Sequence, residues 1–191
     1  MARWDPGTGD RLRRAALDLF AEHGYDNVTV TQIAERAGIT RRSYFRYFPD
    51  KREVLFGGSE QLPPALAEAV RASAEGSLPA IALDAVRQVG ALLVDRVDRT
   101  TERRAVIASS PELQERERTK AAAIMTALGE ALEERGASAD EARLVSRLVA
   151  VCFQEALERW MGTGEDFGAC LDAVVASVRS TTSLFPAPMR P

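Results

Sequence analysis

Between residues 36 and 52 stand six basic residues, Arg36, Arg41, Arg42, Arg46, Lys51 and Arg52, against a single acid, Asp50. Cations at this density can neutralise the phosphates of a nucleic acid, or they can line a solvated helix face. Residues 1–52 hold 10 Lys/Arg against 7 Asp/Glu, a balance of +3, whereas the rest of the chain holds 15 against 21, a balance of −6, together giving the net −3. A short basic stretch on an otherwise acidic chain is a footprint for phosphate rather than a generally adhesive surface. Little else offers chemistry. One histidine, His23, and two cysteines, Cys152 and Cys170, supply neither a metal cluster nor a disulfide framework. With no second imidazole, no paired carboxylates and no nucleophile–base set at readable spacing, the sequence argues against an enzyme, a metal site or a cofactor.

The elements that must position the basic residues read as helices. Leu12, Ala16, Leu19, Phe20 and His23 recur on one face of a helix that Gly24 ends. Tyr25-Asp26-Asn27-Val28 reads as a polar turn. Thr29-Val30-Thr31-Gln32 has the form of a capping box, opening a short helix with Ile33, Ala34 and Ala37 that stops at Gly38. Thr40 can cap the next helix, from Arg41 to about Phe48; Pro49 ends it, and Asp50 to Glu53 offers a further cap. Gly57-Gly58 and Pro63-Pro64 then interrupt the pattern, and helical segments are expected at about 64–75, 79–97, 101–109, 111–135, 139–162 and 167–183. No strand pattern of useful length and no internal repeat occurs, so the expected fold class is all-α. No run approaches the ~18 apolar residues of a membrane span and the first residues lack an apolar core, which predicts a soluble, cytoplasmic protein.

Two short helices joined through Gly38-Ile39 have helix-turn-helix spacing. Ala34 and Ala37 are small where the helices must approach, Gly38 permits the turn, and Ile33 and Ile39 supply a minimal core. Arg41, Arg42 and Arg46 then open the second helix, where a guanidinium fork suits the guanine edge in a DNA major groove. The hydroxyls of Thr29, Thr31, Thr40 and Ser43, with Gln32 beside them, suit phosphate contacts near helix starts, and Lys51 can grip a phosphate with the local amides. The same spacing also fits a helical hairpin packed inside a larger bundle.

Three stretches, Ala15 to Tyr25, Thr29 to Ile39 and Tyr47-Phe48-Pro49-Asp50-Lys51, together resemble the amino-terminal domain of TetR-family transcriptional regulators over about residues 8–56. The resemblance implies a three-helix helix-turn-helix DNA-binding domain (1–52) and a larger helical ligand-binding and dimerisation domain (53–184), and the proline-rich residues 185–191 read as a loose tail. It further implies a homodimer on a near-palindromic DNA operator, released when a small molecule in the body tilts the helix that opens at Asp50 and respaces the two heads. A ligand-independent regulator or activator, and a helical protein-interaction module, are the alternatives. The family usually has a small residue at Arg42, Leu-Tyr at Tyr44-Phe45, and often His at Tyr47. Phe45 cannot give the phosphate hydrogen bond of the usual tyrosine, a contact that the Tyr47 hydroxyl can take over. Tyr44 is expected to pack against the first helix rather than read a base.

In 139–162, Val145, Leu148 or Val149, Cys152, Ala156 and Trp160 form an apolar stripe, and Leu171, Val174, Val175 and Val178 form another in 167–183. These two helices could pair with their symmetry mates as a four-helix interface, or close the core of one subunit. Cys152 and Cys170 read as small buried apolar groups rather than a thiol sensor, and Phe153 and Trp160 as core rather than ligand-stacking rings. The run from Glu112 to Arg118 reads as a solvated helix face, and His23 as a helix-end or packing residue. The effector is expected to be largely apolar, its pocket residues unassigned.

Overall fold

A computed structural model describes residues 7–94 and 100–182, and the tail expected to be loose (185–191) lies outside them. The regular structure of the described residues is helical throughout: α1 (Thr8–His23), α2 (Val30–Arg36), α3 (Arg41–Tyr44), α4 (Glu53–Phe56), a 3-10 turn (Ser59–Gln61), α5 (Leu62–Ala72), α6 (Leu78–Val94), α7 (Thr100–Ala108), α8 (Pro111–Glu134), α9 (Ala139–Thr163) and α10 (Phe167–Thr182). The chain falls into two compact units, one of residues 1–60 and 99–121, the other of 61–98 and 122–191.

The first unit is built around α1. Its apolar face, Leu12, Ala16, Leu19 and Phe20, is buried with Ile33 and Ala34 of α2, Tyr44 of α3, Val54 and Phe56 of α4, and Val106, Ile107 and Leu113 of α7 and the start of α8. A boundary between 52 and 53 therefore cuts through a packed core, since all four residues of α4 are buried. The structure moves it to 60/61 and returns residues 99–121 to the first unit. Two further readings of this region are corrected. Tyr25 and Val28 are core residues rather than a polar turn, and His23 is exposed instead of lying on the apolar face.

The helix that opens after Asp50 is short, ending at Phe56. Gly57 sits so close to the Phe48 ring that a Cβ would clash with it, and Gly58 takes φ +92°, a conformation open to glycine and costly for other residues. In the second unit, α5 and α6 pack with the second half of α8 and the start of α9 around Leu66, Val70, Ala82, Val86, Leu128 and Leu132. Cys152, Ala156, Phe167, Cys170 and Leu171 form a second cluster between α9 and α10. Burial raises the thiol pKa of Cys152. No helix of the described residues is long and apolar enough to cross a membrane.

Candidate nucleic-acid interface

The helix-turn-helix is set by two local caps. The Thr29 hydroxyl accepts the Gln32 N–H at 3.3 Å while the Gln32 side chain accepts the Thr29 N–H at 2.8 Å, so α2 starts with its free amides satisfied. After α2, Gly38 at φ +74° turns the chain, and the Ile39 N–H closes back onto the Ala34 carbonyl at 2.9 Å. Thr40 then caps α3, its hydroxyl accepting the Ser43 N–H at 3.1 Å and donating to the Ser43 hydroxyl at 3.0 Å. The regular helix expected to run to Phe48 stops at Tyr44. Tighter bonds, Arg46 N–H to the Ser43 carbonyl and Tyr47 N–H to the Tyr44 carbonyl, carry the chain on.

Tyr44 fixes this short element. Its ring is fully buried, tilted against Phe48 at 5.7 Å between centroids, and its hydroxyl donates to the Asp50 carbonyl at 3.0 Å. Burial holds the phenol protonated well above its ordinary range. Tyr44 is thus a packing residue, and what α3 and the turn after it show to solvent is Arg41, Arg42, Phe45 and Arg46.

The six cations of 36–52 divide into two groups. Arg36 is held by both carboxylate oxygens of Glu22, at 3.0 and 3.3 Å. Arg52 pairs with Asp50 at 3.0 Å and Glu112 at 3.3 Å. Lys51 donates to the carbonyls of Tyr25 at 2.8 Å and Val28 at 3.0 Å, its Nζ standing 4.0 Å from the centre of the Tyr25 ring. Burial lowers the pKa of this ammonium. Arg41, Arg42 and Arg46, by contrast, are exposed and have neither hydrogen bond nor ion pair among the described residues; Arg41 only stacks on Phe45. Keeping three guanidinium groups unpaired on one short element leaves their donors for an external acceptor.

The remaining expected site residues lie around this surface. Thr29, Thr31, Gln32 and Thr40 are exposed, Ser43 and Tyr47 half-buried, and the Tyr47 hydroxyl has no partner among the described residues. Thr29, Gln32, Thr40 and Ser43 are also the capping residues, so each has a structural use whether or not it meets a phosphate.

Sequence reasoning missed two features. One is the exposed Phe45 ring, which its type alone would place in a core. The other is Glu53, buried between Arg116 Nε at 2.7 Å and Lys120 Nζ at 3.0 Å, both on α8. A cap was expected here, and the Asp50 carboxylate does accept the Glu53 N–H at 3.0 Å, but the Glu53 side chain turns instead to α8. The segment read as a solvated face, from Glu112 to Arg118, therefore includes residues that bind the first unit together.

Residues 12–56 match the family model for bacterial regulatory proteins of the tetR family. The chain is 38% identical over 72 residues to the HTH-type transcriptional regulator TcmR of Streptomyces glaucescens, covering 38% of this chain and 32% of TcmR. It is 42% identical over 48 residues to the regulator SrpR of Pseudomonas putida, covering 25% of this chain and 22% of SrpR. Such matches span only about a third or less of each relative's length. Among solved structures, the fold resembles that of SmeT in its triclosan complex, with TM-score 0.60, 19% identity, and coverage of 90% of this chain and 91% of that one. It also resembles FadR of Bacillus subtilis in complex with stearoyl-CoA, with TM-score 0.58, 19% identity, and coverage of 87% and 95%.

Proposed function

We propose that the chain is a TetR-family transcriptional regulator that binds double-stranded DNA as a homodimer, a reading supported by the match of residues 12–56 to the tetR family model. The observation that carries the reading is the set of unpaired guanidinium groups of Arg41 and Arg42 on α3 and Arg46 just past its end, on the second helix of a capped helix-turn-helix. An Arg fork can bridge O6 and N7 of guanine, so these residues read base edges. Thr29, Thr31, Thr40, Ser43 and Tyr47 contact phosphates and set the register, with Gln32 holding the start of α2. Lys51 adds its remaining N–H donor to a phosphate while tying the segment that leads into α4 to the turn after α1.

The second unit carries regulation and dimerisation. Leu144, Leu148 and Val151 lie on one exposed face of α9, at 60%, 51% and 55% exposure, while Val145, Val149 and Cys152 turn inward. That face and the half-buried Val174 and Val178 of α10 form the subunit contact. The effector is a largely apolar small molecule bound in the second unit, a reading supported by triclosan and stearoyl-CoA in the complexes of SmeT and FadR. Its binding lowers the affinity for a near-palindromic operator, which makes the chain a ligand-released repressor.

The test is selection of bound duplexes from a random pool by the full chain at near-physiological salt, followed by titration of the enriched site. The expected result is an inverted repeat bound by two subunits with a Kd of about 10⁻⁸–10⁻¹¹ M. Affinity should fall steeply with salt, as several phosphate contacts require. Weak binding without enrichment would overturn the DNA-reading assignment and favour a protein partner for the basic head.

A further inference from the structure

Phe45 puts an apolar ring among the exposed cations Arg41, Arg42 and Arg46. It is 44% exposed, and its edge-on contact with the buried Tyr44, 5.6 Å between centroids at 82°, backs it from below. Tyr44 is itself pinned through its hydroxyl to the Asp50 carbonyl. On the outer side the Arg41 guanidinium stands 5.3 Å from the ring centre. The ring is therefore held from two sides rather than free to fold inward, and Arg42 and Arg46 stand within one helical turn of it. With no hydroxyl, the side chain cannot bond a phosphate. A partner suited to this surface is apolar and small where it meets the ring and is carried by a polyanion, which the three exposed guanidinium groups around the ring attract. A pyrimidine C5-methyl in the major groove meets all three conditions, and thymine supplies one at every A·T pair.

We propose that Phe45 is a specificity residue that packs its exposed ring on one thymine methyl group in each half-site, with Arg41 stacked on the ring's other side. The inference rests on the DNA-binding reading above and adds to it a base preference at a defined residue. An exposed apolar ring among arginines makes no use of its surface in water; against a methyl it excludes water from both, and each buried carbon contributes by the ordinary apolar transfer term.

The experiment uses the full chain and its selected duplex. Each thymine is replaced in turn by deoxyuridine, which removes only the methyl group, and each cytosine by 5-methylcytosine, which adds one. Binding is followed by fluorescence anisotropy for the wild type, Phe45→Ala and Phe45→Leu. The expected result is one thymine per half-site whose demethylation weakens wild-type binding about four-fold, the equivalent of one buried carbon. That effect should vanish in Phe45→Ala and persist in part in Phe45→Leu, with cytosine methylation without effect at every position. Both variants should stay folded, with unfolding midpoints within a few degrees of the wild type, because nearly half of the ring is already in water. A flat deoxyuridine profile, or a methyl effect that survives in Phe45→Ala, would overturn the inference and leave the DNA reading intact. A methylcytosine-dependent gain would assign the ring to a modified base instead of thymine. Absence of any enriched duplex would overturn both readings together.

Discussion

Lys51 spends two of its three N–H donors on the Tyr25 and Val28 carbonyls and lies over the Tyr25 ring, whereas Arg42 is exposed with no partner among the described residues. Substituting them must therefore fail in different ways. Lys51→Met leaves two carbonyls of a buried turn short of a charged donor, a loss of about 1–3 kcal/mol. Urea unfolding should show that loss, and whatever DNA affinity falls with it should fall equally for all sequences. Arg42→Ala should change stability by less than about 0.5 kcal/mol while relaxing preference at one base pair by about 1–3 kcal/mol. Equal weakening on every duplex by Arg42→Ala, read from competition binding, would remove it from base readout. The cysteines have a separate test: Cys152 and Cys170 are both buried, and burial raises the thiol of the former, so neither should react with a disulfide reagent at pH 8 until denaturant is added. Rapid native reaction of either thiol would reopen a sensor role.

At the scale of elements, short helices survive because their ends are tied. α3 has four residues, far too few to persist in isolation, and rests on the Thr40 cap and the buried Tyr44. Thr40→Ala should cost about 1 kcal/mol. α4, equally short, is held by Glu53 against Arg116 and Lys120, and by Arg103, whose Nε donates to the Leu55 carbonyl at 2.7 Å. Glu53→Gln would leave two partly buried cations short of their counter-charge, and chemical denaturation should record a loss of about 1–3 kcal/mol, below that of fully buried pairs because Arg116 stays partly exposed. An unchanged denaturation midpoint would mean that α4 is held by its apolar residues alone. What could be read in advance follows the same line. Thr29/Gln32, Gly38 and Thr40 announce their elements because a cap or a turn is written within four residues. The early end of α3, the burial of Tyr25 and the pairing of Glu53 depend on residues elsewhere in the fold, in the last case 63 and 67 positions away, and no local pattern carries that information.

At the scale of the whole molecule, periodicity alone left open whether Leu148 or Val149 faced the core, since adjacent positions both fit the stripe. The packing of α9 resolves it: Val149 is buried with Val145, and Leu148 is 51% exposed beside Leu144 and Val151. Three large apolar residues in a row along a helix are a poor surface for a solitary subunit and a good one for a two-fold contact, where the same patch serves both partners. In the proposed dimer, two heads on one inverted repeat bind as linked modules, the second at high effective concentration. Leu148→Glu places a carboxylate at the centre of that contact and should convert the dimer to monomer in sedimentation experiments, with unchanged far-UV circular dichroism because the residue is outside the core. The monomer should keep its sequence preference but bind the full repeat about 10²–10⁴-fold more weakly, near its half-site affinity. Val149→Glu, one position on, should instead unfold the second unit, since it buries the charge within a single subunit. A Leu148→Glu protein that remains dimeric would move the subunit contact to another face, and one that is monomeric yet binds the repeat at full strength would sever dimerisation from DNA recognition.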